Sequence, residues 1–214
     1  FQGSRGLGDV YKRQIQVYPM YENAIRYARK ESVPDHLKRV SELWARFNEV
    51  AIQNPNAWIQ DAFTAEEIRT PTDTNRRISF PYTKMMNANM AVDMGAAIIL
   101  CSVEKARELR IPEEKWVYPL AGVQGYDHFS ASVRDNFHSS PGLGLVGKRV
   151  MELAKVSPEE VDYVDLYSCF PSAVQIAARE LGFSEERQLT VTGGLTFGGG
   201  PLNNYVMHAV ARTV

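Results

Sequence analysis

The stretch from Val161 to Val214 constrains this chain more than any other. It reads VDYVDLYSCFPSAVQIAARELGF and then, after a short polar connection, LTVTGGLTFGGGPLNNYVMHAV. The first half predicts an apolar strand over Val161–Tyr167, running into Ser168, Cys169 and Phe170. Pro171 then opens a helix, because its fixed φ and missing N–H suit a first helical turn. The second half predicts a short strand at Leu189 to Thr192, a turn rich in glycine (Gly193, Gly194, Gly198, Gly199, Gly200), Pro201 and another helix. Two strand–turn–helix units in succession place two sharp turns side by side, each at a helix N-terminus. Backbone N–H groups there lack helical partners and carry partial positive charge. Such a place suits an oxyanion, a thioester carbonyl or a phosphate.

The rest of the composition limits what this element can serve. At 214 residues and 44% hydrophobic, the chain has material for a core and falls outside the disordered class. A net charge of −1 gives no general attraction to nucleic acid or anionic membrane. No apolar run approaches the roughly 20 residues that span a bilayer, and no signal-peptide apolar region is present. The two cysteines, Cys101 and Cys169, lie far apart, outside any metal-binding spacing. Reduced thiols in a cytoplasm are the simplest reading. Both cysteines are expected in the core, as free thiols usually are.

Taken in order, Phe1 to Gln14 has no periodicity, looks like translated adaptor, and is set aside as a tail. A helix is expected over Tyr18 to Ser32, and a longer one from Pro34-Asp35 to Asn54-Pro55. In the latter, Leu37, Val40, Leu43, Trp44, Phe47, Val50 and Ala51 form one apolar stripe, the mark of a face packed on a core. Ala57 to Arg77 is expected to be a mobile covering segment. Buried strands are expected at Gly95 to Cys101 and from Trp116 towards Gly125. Helices follow at Lys105 to Arg110, capped by Ser102, and at Leu143 to Lys155; Ser157 to Glu160 forms a capping box. Lys84, Asn87 and Asn89 sit just ahead of the first strand, where they either touch a ligand or bond loop backbone. Strand–helix alternation from Gly95 onward is an α/β pattern, with the strands Gly95–Cys101, Val117–Val123, Val161–Tyr167 and Leu189–Thr192 in one sheet.

SPEEVDYVDLYSCFPSAVQIAARELGF, followed by TGGLTFGGGP and a helix, resembles the C-terminal half of a thiolase-superfamily protein. Met90 to Ala97 and the VEKARELRI helix extend the likeness, which runs from about Ser79 to Val214. Ile15 to Ala57 is similar to the helical loop domain of such proteins, the sterol-carrier-protein-type branch above all. The resemblance implies an αβαβα fold of two similar halves. This chain would then hold a tail (1–14), part of the loop domain (15–78) and most of the C-terminal half (79–214), as a piece of a longer protein that is inactive without its N-terminal half. An apolar face left bare by the missing half, and poor solubility alone, are also expected.

Members of that family make or break a carbon–carbon bond beside a coenzyme A thioester. The resemblance therefore implies an acyl-CoA acyltransferase of lipid metabolism, with the thioester as substrate and neither cofactor nor metal bound. Tyr167-Ser168-Cys169-Phe170 takes the place of the family's NEAF or HDCF motif, and Gly199-Gly200-Pro201 that of its GHP motif. Tyr167 thus stands where Asn or His is expected, and Gly200 where the histidine is expected. The site implied comprises Tyr167 and Ser168 as catalytic groups, Gly199, Gly200 and Leu202 as N–H donors to the thioester, and Lys84, Asn87 and Asn203 as substrate contacts. Tyr167 and the Gly199–Pro201 turn are expected to face one cavity. Losing an oxyanion donor costs on the order of a hundredfold in rate, so Gly200 weighs against ordinary thiolysis. Two other readings stay open: a lyase that cleaves CoA-linked side chains with Tyr167 as acid or base, and a non-catalytic acyl-CoA-binding protein. The partners implied are the acyl-CoA, the N-terminal half, and a second copy or a zinc-ribbon/OB protein.

Overall fold

The computed structural model describes residues 5–128 and 130–214. Helix α1 (Arg5–Ala28) takes in residues 5–14, set aside above as a tail, and continues through Pro19. Once a helix is nucleated, each added residue gains a backbone bond whatever the periodicity of its side chains. Helix α2 (Val33–Gln53) starts where the Ser32 hydroxyl accepts the Asp35 N–H and ends at Asn54, whose extended backbone is what Pro55 demands. Five residues of its stripe are buried, Val40, Leu43, Trp44, Phe47 and Ala51 each at most 2% exposed, while Leu37 and Val50 are half-buried.

The next segment corrects the sequence reading. Residues 57–77 are packed in place and include α3 (Ala65–Arg69), fixed by a Thr64–Glu67 capping box. Ile68 is fully buried. Asn75 is 2% exposed, and its amide donates to the carbonyls of Glu67 and Ile68 at 2.9 and 3.0 Å. Polar composition suggested a loop, but Ala57 and Ile68 in the core, Ile59 and Phe63 packed against it, and side-chain amides that substitute for backbone pairing hold it.

The expected sheet is also corrected. Among the described residues, ladder pairing is confined to two short antiparallel strands, β1 (Arg77–Ser79) and β2 (Tyr82–Thr83). None of the four predicted strand segments joins a ladder. Two of them do lie alongside: Leu166 N–H donates to Leu189 C=O at 3.0 Å, and Val164, Leu166 and Leu189 are buried. Gly95–Cys101 is not buried, with Ile99 84% and Leu100 79% exposed; Cys101, expected in the core, is exposed with it. An apolar run specifies burial against something, whereas a ladder requires a neighbouring strand at the right spacing. Val117, Leu120 and Tyr126 are likewise exposed.

Helices α4 (Val103–Glu108), α5 (Pro141–Ala154), α6 (Pro171–Leu181) and α7 (Tyr205–Thr213) follow the sequence reading closely. Ser102 caps α4, and the Ser157–Glu160 capping box closes a single tight turn. Among the described residues, no helix is long and apolar enough to cross a membrane.

One core joins α2, α6, the glycine turn and the 161–170 segment. Trp44 and Phe47 stack at 5.1 Å, and the Trp44 indole N–H donates to Thr196 Oγ1 at 3.1 Å. Residues 194–198 make a single π-helical turn, closed by Gly199 N–H to Gly194 C=O at 3.2 Å. Trp58 and Ile59 N–H groups clamp its far side through the carbonyls of Gly198 and Phe197.

A polar network is buried beside this core. Glu22 of α1, fully buried, accepts from Tyr82 Oη at 2.6 Å and Gln175 Nε2 at 2.7 Å, and lies 2.8 Å from His36 Nε2. His36 Nδ1 is 2.6 Å from Glu31 Oε2, and Arg39 grips both Glu31 oxygens at 2.8 and 3.1 Å. Arg39 also reaches Glu185 at 2.6 Å, so α1, α2, β2 and α6 are tied together by charge as well as by apolar contact.

Candidate functional site

Asp165 organises the turn after Leu189. Its Oδ2 accepts from Thr190 Oγ1 and Val191 N–H, both at 2.9 Å, and from Thr192 N–H and Oγ1 at 3.3 and 3.2 Å. Its Oδ1 accepts from the Tyr205 hydroxyl at 2.7 Å. Tyr205 is 2% exposed, and burial, reinforced by the Asp165 charge, pushes its hydroxyl far above the usual phenol range. It therefore stays protonated and acts as a fixed donor.

Ser168 is fully buried, and its Oγ accepts the Leu195 N–H at 3.1 Å. Gly194 sits against it at φ +73°, where an added Cβ would lie 2.6 Å from that oxygen and 2.7 Å from the Phe47 ring. The serine hydroxyl thus braces the glycine turn from beneath. Tyr167 faces outward at 45% exposure, its ring edge-on to Tyr205 with centroids 5.6 Å apart. Cys169 is 2% exposed; burial pushes its thiol up to about 11, against the reactivity of a nucleophile. The core role expected for this cysteine is the one it has.

The three backbone donors named from sequence are already engaged. Gly199 N–H donates to Gly194 C=O at 3.2 Å, Gly200 N–H to Asn89 C=O at 2.8 Å, and Leu202 N–H to Gly200 C=O at 2.7 Å. Lys84 is exposed, and Asn87 Nδ2 donates to Thr83 C=O at 2.6 Å, the loop-bonding alternative of the two readings. Asn203 is exposed in the single turn before α7.

A cleft of about 530 Å³ opens at the Gly198–Gly199 turn, walled by Trp58, Asp93, Thr192, Tyr205 and His208. Its lining is more polar than apolar, with Asn56, Asp93, Thr192, His208 and Arg212 beside Trp58 and Met94. Gly199 is at φ +112°, and a Cβ there would lie 2.5 Å from Met94 Sδ, so the wall comes this close only because the residue is glycine. Of the sequence-predicted residues, Gly199 borders the cleft; Tyr167, Ser168, Gly200, Leu202, Lys84, Asn87 and Asn203 do not. Tyr167 packs on Tyr205, which lines it. Sequence reasoning passed over Asp165, Tyr205 and His208. The one available signal was a carboxylate inside an apolar run, which must be paired if buried. Among the described residues, no group of three or more His, Cys, Asp or Glu side chains is placed to hold a metal ion.

No family model matches the chain. It is 26% identical over 103 residues to an acetyl-CoA acetyltransferase of Methanocaldococcus jannaschii, covering 48% of this chain and 26% of that protein. It is 26% identical over 163 residues to a 17-hydroxy-3-oxo-4-pregnene-20-carboxyl-CoA lyase of Mycobacterium tuberculosis, covering 72% of this chain and 40% of that protein. Among solved structures, a monomeric SCP2-thiolase like protein type 1 from Mycobacterium smegmatis aligns with a TM-score of 0.82 and 38% identity, over 91% of this chain and 43% of that one. The chain is a relative of the thiolase superfamily.

Its fold class is therefore the α/β thiolase-like type read from the sequence. The thiolase-like trace is also shared with an Ltp2-ChsH2(DUF35) aldolase, at a TM-score of 0.64 and 18% identity, over 99% of this chain and 59% of that one; this likeness is one of fold. The chain spans from a quarter to about two fifths of the length of these curated relatives. They connect it with thiolase-like, acyl-CoA-related proteins.

Proposed function

We propose that the protein acts on acyl-CoA thioesters as a thiolase-superfamily acyltransferase, forming or thiolytically cleaving the carbon–carbon bond beside the thioester. The observation that carries this reading is the cleft at Gly199, where a backbone without a side chain lets a ligand approach and polar groups converge. In the resemblance to the family, that turn is the GHP position. Thiolysis of acetoacetyl-CoA by free CoA, followed with the whole protein, tests it. Turnover that falls in Gly199→Ala is the expected result, and absence of any turnover by the unaltered protein removes the reading.

A second reading is favoured by one feature, the exposed Tyr167 at the HDCF position, together with the likeness to the CoA lyase. Tyr167 would take the hydroxyl proton of a CoA-linked β-hydroxy substrate as the Cα–Cβ bond breaks, the electron pair passing to the α-carbon, which is then protonated. A zinc-ribbon/OB partner belongs to this reading, by analogy with the DUF35-containing aldolase. Tyr167→Phe separates the two: it abolishes retro-aldol turnover while costing about 1 kcal/mol of stability or less, typical of one hydrogen bond.

A further inference from the structure

Val164 and Leu166 are buried, while Asp165 is half-buried and Tyr167 exposed. That alternation belongs to extended backbone, in which residues two apart share a face. Asp165 and Tyr167 therefore stand on one side of the segment, about 7 Å apart along it. Tyr205 spans the gap between them. Its hydroxyl donates to Asp165 Oδ1 at 2.7 Å and lies 2.8 Å from Thr192 Oγ1. Its ring meets that of Tyr167 edge-on, with centroids 5.6 Å apart and planes at 87°. Ring quadrupoles favour this arrangement.

Tyr205 is itself held fast. It is 2% exposed, and Asp165, its anchor, is bonded in turn by Thr190, Val191 and Thr192. The segment that carries Tyr167 joins no ladder among the described residues, and the Tyr167 side chain is 45% exposed. An exposed tyrosine has several χ1 wells and a broad χ2 from which a neighbour must select.

We propose that Tyr205, anchored on Asp165, is a positioning residue that fixes the direction in which the Tyr167 hydroxyl is presented. It acts through Tyr167 and not on the substrate. This rests on the lyase reading above, in which Tyr167 takes the hydroxyl proton of the substrate. Such a group works only within hydrogen-bond reach of that proton, and a misplacement of about 1 Å costs on the order of a hundredfold in rate.

Cleavage of β-hydroxyisovaleryl-CoA to acetone and acetyl-CoA, followed with the whole protein and expressed per folded molecule, tests it. Tyr205→Leu removes the ring, and is expected to lower kcat about tenfold to a hundredfold while KM stays within about twofold. Tyr205→Phe keeps the ring and loses only the anchor, so it is expected to recover part of the rate. The ring resonances of Tyr167, assigned by their absence in Tyr167→Phe, are expected to lose their ring-current shift in Tyr205→Leu and to keep it in Tyr205→Phe. Should Tyr205→Leu not fold, Tyr205→Phe decides: a lowered kcat at unchanged KM supports positioning, and a kcat equal to that of the unaltered protein overturns it. An unchanged kcat in Tyr205→Leu, or a raised KM with kcat intact, also overturns the positioning and leaves the lyase reading standing. If the unaltered protein does not cleave the thioester, both fall together.

Discussion

Tyr205 Oη donates to Asp165 Oδ1 at 2.7 Å, joining the end of the 161–167 segment to the first turn of α7 across the glycine-rich connection. The other Asp165 oxygen holds Thr190, Val191 and Thr192, so a single carboxylate fixes both ends of the turn that borders the cleft. Asp165→Ala leaves those donors unpaired in a buried place and is expected to cost about 3 kcal/mol or more, whereas Tyr205→Phe removes one of them and is expected to cost about 1 kcal/mol. Urea denaturation of the two variants checks this. Equal losses would mean that Asp165 serves Tyr205 alone.

The buried charge network makes a second prediction. Glu22 and His36 are each at most 1% exposed and lie 2.8 Å apart. Removing Glu22 takes from the Tyr82 hydroxyl, Gln175 Nε2 and His36 Nε2 their shared partner in a buried place, so Glu22→Leu is expected to destabilise by about 3 kcal/mol or more. The double variant Glu22→Leu with His36→Leu is expected to be less damaged than the sum of the singles. A double-mutant cycle that closes with strict additivity would show that the pair is not coupled.

Acid sensitivity follows from Glu31. Burial pushes its carboxyl up, but hydrogen bonds from Arg39, His36 and Arg29 outweigh this and hold it at about 2, below the usual 4.5. A folded value below the unfolded one stabilises the protein above about pH 4.5, and the benefit is lost as pH falls towards 2. Thermal melts of the chain and of Glu31→Gln are expected to differ most above pH 5 and to converge near pH 2. Parallel curves across that range would contradict the assignment.

The cysteines should report the fold directly. Cys101 is exposed, while Cys169 is buried with its thiol raised to about 11. A thiol reagent at pH 8 is expected to label Cys101 in the native chain and Cys169 only in denaturant. Rapid native labelling at Cys169, located by peptide mapping, would show that the 168–170 turn opens readily.

Gly199→Ala tests the cleft wall itself. At φ +112° and with Met94 Sδ 2.5 Å from where a Cβ would be, alanine meets both backbone strain and a clash. A loss of more than 1 kcal/mol is expected, beyond the usual reach of a surface substitution. Trimming the clash with Met94→Ala in the same chain is expected to restore only part of it, since the strain remains.

The sequence by itself determined α2 and α4 to α7, but neither the extent of α1 nor the presence of α3. The apolar stripe of α2, the Ser32, Ser102 and Ser157 caps, and the proline starts of α5 and α6 are local devices, set by neighbours within a few residues. The motif order around Tyr167 and Gly200 also carried the family resemblance. What only the tertiary structure decided was which groups meet. A ladder depends on a neighbouring strand, so the apolar run Gly95–Cys101 could not announce that it would lie exposed. Glu22, His36, Tyr82 and Gln175 come from four distant stretches, and no local pattern links them. The cleft likewise forms from Trp58, Asp93, Thr192 and His208, whose sequence separations are far beyond any helical or strand period. Tyr167 was singled out by motif position, yet packing turned its ring outward against Tyr205 and gave the wall of the cleft to its partner.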